Sequence, residues 1–328
     1  MSDTASTRQL RPANAQLPLA WYFDPEIFAL EKKLVLEAGP NYVGHELMVP
    51  SPGDYRTLAQ LDHAKMLVRS DAGVGLLSNV CRHRQSIMLE GSGHAENIVC
   101  PLHRWTYDLR GELLGAPQFA QQPCASLART PMRQWHGMLF DGPRDPARDL
   151  AGFDIGKLDF DGYVFDHAHV HECNYNWKTF IEVYLEDYHV GPFHPGLGQF
   201  VTCDDLAWQF NEWANLQVVG VNNDLRKPGS RTYQRWHKAV LDFYRGEMPP
   251  HGAIWLTYYP NVMVEWYPEV LIVSTLIPKA VDRTTNIVEF YYPEEIALFE
   301  REYVDAERAA YAETSREDDE IAERMDAG

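Results

Sequence analysis

The stretch Cys81–Trp105 reads CRHRQSIMLEGSGHAENIVCPLHRW. Its chemistry lies at the two ends, as Cys81-x-His83, sixteen further residues, then Cys100-x-x-His103. Two thiolates and two imidazoles at this spacing can hold a metal centre. Zinc is the first rival, but zinc sites pair Cys with Cys across roughly two to four residues and place His with His further on. Here each half supplies one Cys and one His. That division suits a cluster of two irons, one taking both thiolates and the other both imidazoles. Trp105-Thr106-Tyr107-Asp108 followed by Gly111 reads as a strand and turn closing over a buried site.

Working outward, the flanks read Asn79-Val80-Cys81-Arg82-His83-Arg84, Cys100-Pro101-Leu102-His103-Arg104-Trp105 and, later, Gln134-Trp135-His136-Gly137. These residues resemble the Rieske domain of Rieske-type non-haem iron oxygenases, the ring-hydroxylating oxygenase α-subunit family. Two positions depart from the commonest pattern: Gln85 and Arg104 stand where the family often has Gly. Neither change removes a ligand, so the resemblance implies a [2Fe–2S] Rieske cluster on Cys81, His83, Cys100 and His103.

At 328 residues the chain has room for two domains. Hydrophobic content of 45% with 12% aromatics describes a folded chain. The net charge of −18 argues against nucleic acid or an anionic membrane as partner. Half of that excess lies in Glu294–Gly328, with thirteen acidic residues against four basic. Five cysteines in so long a chain do not make a disulfide scaffold. The start, MSDTASTRQLRP, lacks the apolar core of a signal peptide, and no apolar run is long enough to span a bilayer. The expectation is a cytoplasmic protein, unlike the membrane-anchored Rieske proteins of respiratory chains.

The expected fold is α+β, in three parts. Residues 1–40 form a polar arm, to about residue 16, and a helix begun by Asp24-Pro25-Glu26 that packs on the catalytic domain. Residues 41–145 form an all-β Rieske domain of short apolar strands broken by Gly, Asp and Pro. Residues 146–328 form the catalytic domain, an antiparallel sheet with helices that the resemblance identifies as a helix-grip. Within it, Asn176–His189 has a helical pattern, strand-like runs lie between residues 254 and 292, and Pro293–Met325 reads as one long helix. That helix carries an apolar stripe of Ile296, Phe299, Tyr303, Ala306 and Ala310. His167, His169 and His171 alternate along a strand and read as a solvated face.

A second metal site is expected in NWKTFIEVYLEDYHVGPFHPGL, Asn176–Leu197. In a continuous helix Glu182, Glu186 and His189 share one face. Gly191-Pro192 then breaks the helix and lets His194 swing back towards His189. Two His need one carboxylate to make the facial triad of non-haem Fe(II). In Glu317-Asp318-Asp319-Glu320-Ile321, Asp318 shares its face with Ile321 and Met325, whereas Asp319 aligns with the wetter Ala322, Glu323 and Asp326. Periodicity selects Asp318, and the resemblance selects it too. The family also has an acidic residue three before the first iron His that bridges to a cluster His of the neighbouring subunit. Here that residue is Glu186, the bridge running towards His103.

The resemblance implies a terminal oxygenase, a mono- or dioxygenase working as a homotrimer. Electrons come from a separate NAD(P)H-dependent reductase or ferredoxin, since the chain has no Gly-rich dinucleotide motif of its own. The expected reaction is hydroxylation or O/N-dealkylation of a small organic molecule, aromatic ring hydroxylation foremost. The sequence Glu182–His189 is also similar to the branch acting on carnitine, choline or betaine. Trp208, Phe210, Trp213, Trp236, Phe243, Tyr244, Trp255 and Tyr258 supply aromatic surface for either substrate, or simply core. A Rieske electron carrier without a second iron is the competing class.

Overall fold

The computed structural model describes residues 17–153, 159–222 and 224–327. The polar arm expected over residues 1–16 lies outside them. The chain divides into two compact units, Ala38–Arg148 and the combination of Met1–Glu37 with Asp149–Gly328.

The first unit is built from β1 (Tyr42–His45), β2 (Asp54–Thr57), β3 (Lys65–Ser70), β4 (Gly73–Ser78), β5 (Ser92–His94), β6 (Ile98–Val99), β7 (Thr106–Tyr107), β8 (Leu113–Gly115), β9 (Arg129–Thr130), β10 (Arg133–Trp135) and β11 (Met138–Phe140). They form a five-stranded sheet in the order β5-β2-β3-β4-β9 and two three-stranded sheets, β1-β11-β10 and β6-β7-β8. The alternation of strand side chains separates two cores. Met66 and Val68 of β3 face the cluster containing Cys81, Cys100, Trp105 and Tyr107, while Leu67 between them packs with Val43, Leu76 and Leu139. A two-residue turn joins β10 to β11, with φ of 46° at His136 and 80° at Gly137. Such a tight hairpin needs positive φ at both positions. A Cβ on Gly137 would also lie 2.3 Å from Cε1 of His45, so glycine here makes room for a buried imidazole.

The second unit holds a seven-stranded antiparallel sheet of β12 (Tyr163–Cys173), β13 (Val201–Phe210), β14 (Ala214–Val221), β15 (Ala253–Tyr258), β16 (Val262–Tyr267), β17 (Val270–Ala280) and β18 (Arg283–Pro293), in the order β12-β18-β17-β16-β15-β14-β13. The helices are α1 (Ala20–Phe23), α2 (Pro25–Glu31), α3 (Pro146–Asp149), α4 (Trp177–Tyr184), α5 (Val190–Phe193), α6 (Leu197–Phe200), α7 (Arg231–Phe243), α8 (Glu294–Phe299) and α9 (Arg301–Ala327); α3 closes the first unit and the others belong to the second. The Asp24 side chain caps α2 by accepting from the Glu26 N–H at 2.8 Å. A π turn over Lys32–Leu36 follows and shifts the register of the apolar positions. Phe28 and Val35 therefore pack with Trp177 and Ile181, while Leu30 and Leu34 stay exposed.

Three readings of helix length and face are corrected. The helix expected over Asn176–His189 ends at Tyr184, leaving Glu186 in a turn. Asn176 starts it, its side chain accepting from the Lys178 N–H at 2.9 Å. The single helix expected from Pro293 breaks at Glu300, where the backbone leaves the helical region. Phe299 accordingly points to solvent, while Ile296, Tyr303, Ala306 and Ala310 are buried. Among the described residues no helix is long and apolar enough to cross a membrane.

Candidate metal centres

Cys81 and Cys100 open two loops of the same backbone design. The Cys81 N–H donates to the Ser86 carbonyl at 2.9 Å, and the Gln85 N–H donates back to the Cys81 carbonyl at 3.0 Å. In the other loop the Cys100 N–H donates to the Trp105 carbonyl at 2.8 Å and the Arg104 N–H to the Cys100 carbonyl at 3.0 Å. Each loop closes through a left-handed residue, Gln85 at φ 56° and Arg104 at φ 61°. This is the physical reason glycine suits these positions, since it enters that region without a Cβ clash. Both thiols are buried. The Tyr107 hydroxyl lies 3.6 Å from Cys81 Sγ. The rings of His83 and His103 lie 4.6 Å apart, and His83 stacks on Trp105 at 4.9 Å. His83 Nδ1 is buried with no hydrogen-bond partner, and an orphaned ring nitrogen together with the two buried thiols that open these loops is a donor set that fits an iron–sulfur cluster. His103 is exposed and His83 half-buried, so one imidazole faces outward.

In the second unit, ligand atoms of His189, His194 and Asp318 lie within 4.8 Å of one another. Asp318 Oδ1 is 3.0 Å from His194 Nε2 and 3.8 Å from His189 Nε2. The opposite ring nitrogens are held by other carboxylates. His189 Nδ1 meets Glu186 Oε1 at 2.5 Å, and His194 Nδ1 meets Glu317 Oε2 at 2.8 Å. Carboxylates behind imidazoles fix the ring and the tautomer of metal-binding histidines. Burial lowers the His189 pKa, but Asp318 and Glu186 outweigh it and push it up to about 9. Burial raises the Asp318 pKa, yet the two imidazoles win and hold it below the usual carboxylate range. Two Nε2 atoms and one carboxylate converging on one point fit an Fe(II) facial triad.

The sequence reading of this region needs adjustment. Glu186 reaches His189 from a turn, its Oε2 also accepting the His189 N–H at 3.1 Å. Glu182 stays on α4, faces away and takes the Tyr22 hydroxyl. Asp319 is not on a wet face: it accepts from His171 Nε2 and from the Tyr175 hydroxyl, both at 2.8 Å. His171 therefore leaves the solvated set expected for the three alternating histidines, and half-buried His167 stacks on Phe290, while His169 is exposed. Pattern reading also missed Glu317, Glu265 and Glu307. Glu265 left a signal, as a lone charge in the apolar run Val262–Tyr267. Glu307 left another, between Tyr303 and Ala310 on the buried stripe of α9.

A cavity opens beside the triad, floored by β16 and β18 and roofed by α9. Its polar lining includes Glu265, Asn286, Glu307 and Tyr311, and among the described residues no lysine or arginine lines it. Of the aromatic residues singled out from the sequence, only Trp236 and Trp255 line it, whereas Phe210 is exposed on the edge strand β13.

Residues 160–328 match the family model for the ring hydroxylating alpha subunit, catalytic domain, and residues 40–130 match that for the Rieske [2Fe-2S] domain. The chain belongs to the ring-hydroxylating oxygenase α-subunit family. It is thus a Rieske non-haem iron oxygenase with a [2Fe–2S] cluster and Fe(II), served by O₂, an organic substrate and a reductase or ferredoxin. A putrescine 2-hydroxylase of Ralstonia nicotianae is 64% identical, the match spanning 100% of this chain and 90% of that one. A putrescine 2-hydroxylase of Bordetella bronchiseptica is 58% identical over 100% of this chain and 80% of its own length. A quaternary ammonium Rieske monooxygenase of known structure shares the fold at TM-score 0.75 and 21% identity, covering 95% of this chain and 84% of that one.

Proposed function

We propose that this Rieske oxygenase hydroxylates putrescine, or an aliphatic diamine close to it, at C2. The observation that carries the reading is the 64% match to a putrescine 2-hydroxylase along the whole chain. The cavity supports it, because its charged lining is acidic and suits a cationic substrate. The proposed substrate is an amine where the sequence reading put an aromatic molecule first and a quaternary amine second. The balanced step is R–H + O₂ + 2e⁻ + 2H⁺ giving R–OH + H₂O, with both electrons drawn from the reductase.

His189, His194 and Asp318 would hold the mononuclear iron, and Cys81, His83, Cys100 and His103 the cluster. Iron bound there supplies the activation of O₂. Glu186 and Glu317 hold the imidazoles in the tautomer that presents Nε2. The apolar wall of Val183, Leu197, Phe200 and Trp236 excludes bulk water from the carbon to be oxidised. We further propose a cytoplasmic homotrimer in which Glu186 connects His189 to the outward-facing His103 of a neighbouring subunit. Exposure of His103 and the partial exposure of Glu186 leave both open to such a contact.

The test supplies purified protein with a surrogate reductase, NADH and ¹⁸O₂. Putrescine should yield a product carrying one ¹⁸O atom at C2. Oxygen uptake stimulated by aromatic acids and not by putrescine would overturn the reading.

A further inference from the structure

Glu265 sits in β16 between Val264 and Trp266 and is 2% exposed. Its Oε2 accepts from the Tyr267 hydroxyl at 3.1 Å and its Oε1 from the Tyr311 hydroxyl at 3.2 Å. Trp255 Nε1 in turn donates to the Tyr267 oxygen at 3.1 Å. Neutral hydroxyls orient a carboxylate without cancelling its charge. Among the described residues no lysine or arginine pairs with Glu265, and a lone buried charge is costly. Burial pushes this carboxyl up to about 7 against the pull of the hydroxyls.

A second acceptor in the same cavity lacks a donor. Asn286, also 2% exposed, turns Nδ2 towards Ser274 Oγ at 3.5 Å, and its Oδ1 has no hydrogen-bond partner. Buried acceptors without donors are what an alkylammonium group satisfies.

The register sets the distance between these acceptors and the triad. Asn286 lies opposite His171, whose Nε2 reaches Asp319, so Asn286 stands level with the triad. Glu265 lies opposite Ile272, which in turn faces Phe290, and the Tyr311 ring packs on Phe290 at 5.3 Å. Tyr311 precedes Asp318 by seven residues, about 10 Å along the helix. An extended four-carbon diamine spans about 6 Å between its nitrogens. Asn286 Nδ2, Ser274 Oγ, the Tyr311 hydroxyl and Glu265 Oε1 follow one another in steps of 3.5, 3.4 and 3.2 Å, so a diamine with one ammonium at Glu265 would bring its other ammonium near Asn286 Oδ1. Glu307, the other buried carboxylate, lies about 16 Å from Asp318 along α9, beyond reach of so short a chain, and faces Tyr292 and Arg308.

Resting on the reading of this enzyme as a diamine hydroxylase, we propose that Glu265 binds the distal ammonium of an aliphatic α,ω-diamine and that the oxidised carbon is counted from that anchor. C2 of putrescine is the third carbon from the anchored nitrogen.

Two measurements test the anchor. In Glu265→Gln, which keeps shape and hydroxyl contacts, KM for putrescine should rise by about 10–100-fold, and KM for 1-aminobutane, whose single ammonium takes the same carboxylate, should rise with it. A KM for putrescine at the parent's value overturns the proposal. The parent enzyme, independent of how the variant folds, should oxidise the five-carbon diamine at C3, again the third carbon. Oxidation at C2, or no product, overturns anchored counting. A parent enzyme that hydroxylates no diamine at all overturns the functional reading itself, an outcome distinct from both.

Discussion

Asp318 faces His189 and His194, and its neighbour Asp319 faces His171 and Tyr175. Asp318→Ala should lower bound iron by about one per chain and leave the Rieske electron paramagnetic resonance signal intact. Asp319→Ala should retain both centres; the reverse pattern in iron analysis would exchange their roles. Glu186→Gln keeps size but removes charge from the group behind His189. Both centres should load and the cluster reduce normally, while turnover falls by about 10–100-fold. Single-turnover kinetics decide, since reoxidation of the cluster at the parent's rate would remove Glu186 from the electron path. Periodicity singled out Asp318 over Asp319 because α9 is continuous there, and Asp318 is the one that faces His189 and His194. Phase did not reveal Glu317, because its partner His194 lies 123 residues away.

The two ligand loops show how an element fixes chemistry. Each needs a left-handed residue four positions after its cysteine, and this chain spends Gln85 and Arg104 there. Left-handed backbone costs a non-glycine residue about 1–2 kcal/mol, and most for a β-branched one. Arg104→Val should therefore lower the denaturation midpoint of the Rieske unit, followed by loss of cluster absorbance. Arg104→Gly should leave it equal or higher; a large loss there would mean the Arg104 side chain matters more than its backbone. The motif spacing was legible from sequence because the ligands cluster locally, two residues apart in one loop and three in the other. The end of α4 was not, since Leu185 to His189 keeps a helical pattern, while Glu186 folds back on the His189 N–H and the Asp187 carbonyl is held by Cys203 of a distant strand.

At the scale of whole units, acid stability turns on His45, which is 1% exposed in the Rieske unit. Its Nε2–H donates to the His136 carbonyl at 2.9 Å while Nδ1 accepts from the Leu47 N–H at 3.1 Å. Burial, partly opposed by the His136 carbonyl, lowers its pKa to about 4. The unfolded chain binds this proton near pH 6.5 and the folded one only near 4, so stability is full above 6.5 and declines as pH falls towards 4. The loss reaches about 3 kcal/mol, and thermal melts across that window should show a flatter acid limb in His45→Gln. Sequence by itself determined that the chain carries a Rieske cluster and a non-haem iron, and the division of labour between a β-rich half and a mixed half. Those features are local, written in spacing, strand alternation and helical phase. Only the tertiary structure decided what fills the cavity wall. Glu265 and Asn286 come from different strands, and Tyr311 from a helix, joined by β16-β17-β18 pairing across tens of residues. Register between distant strands depends on the packing of the whole sheet, so no window of sequence contains it.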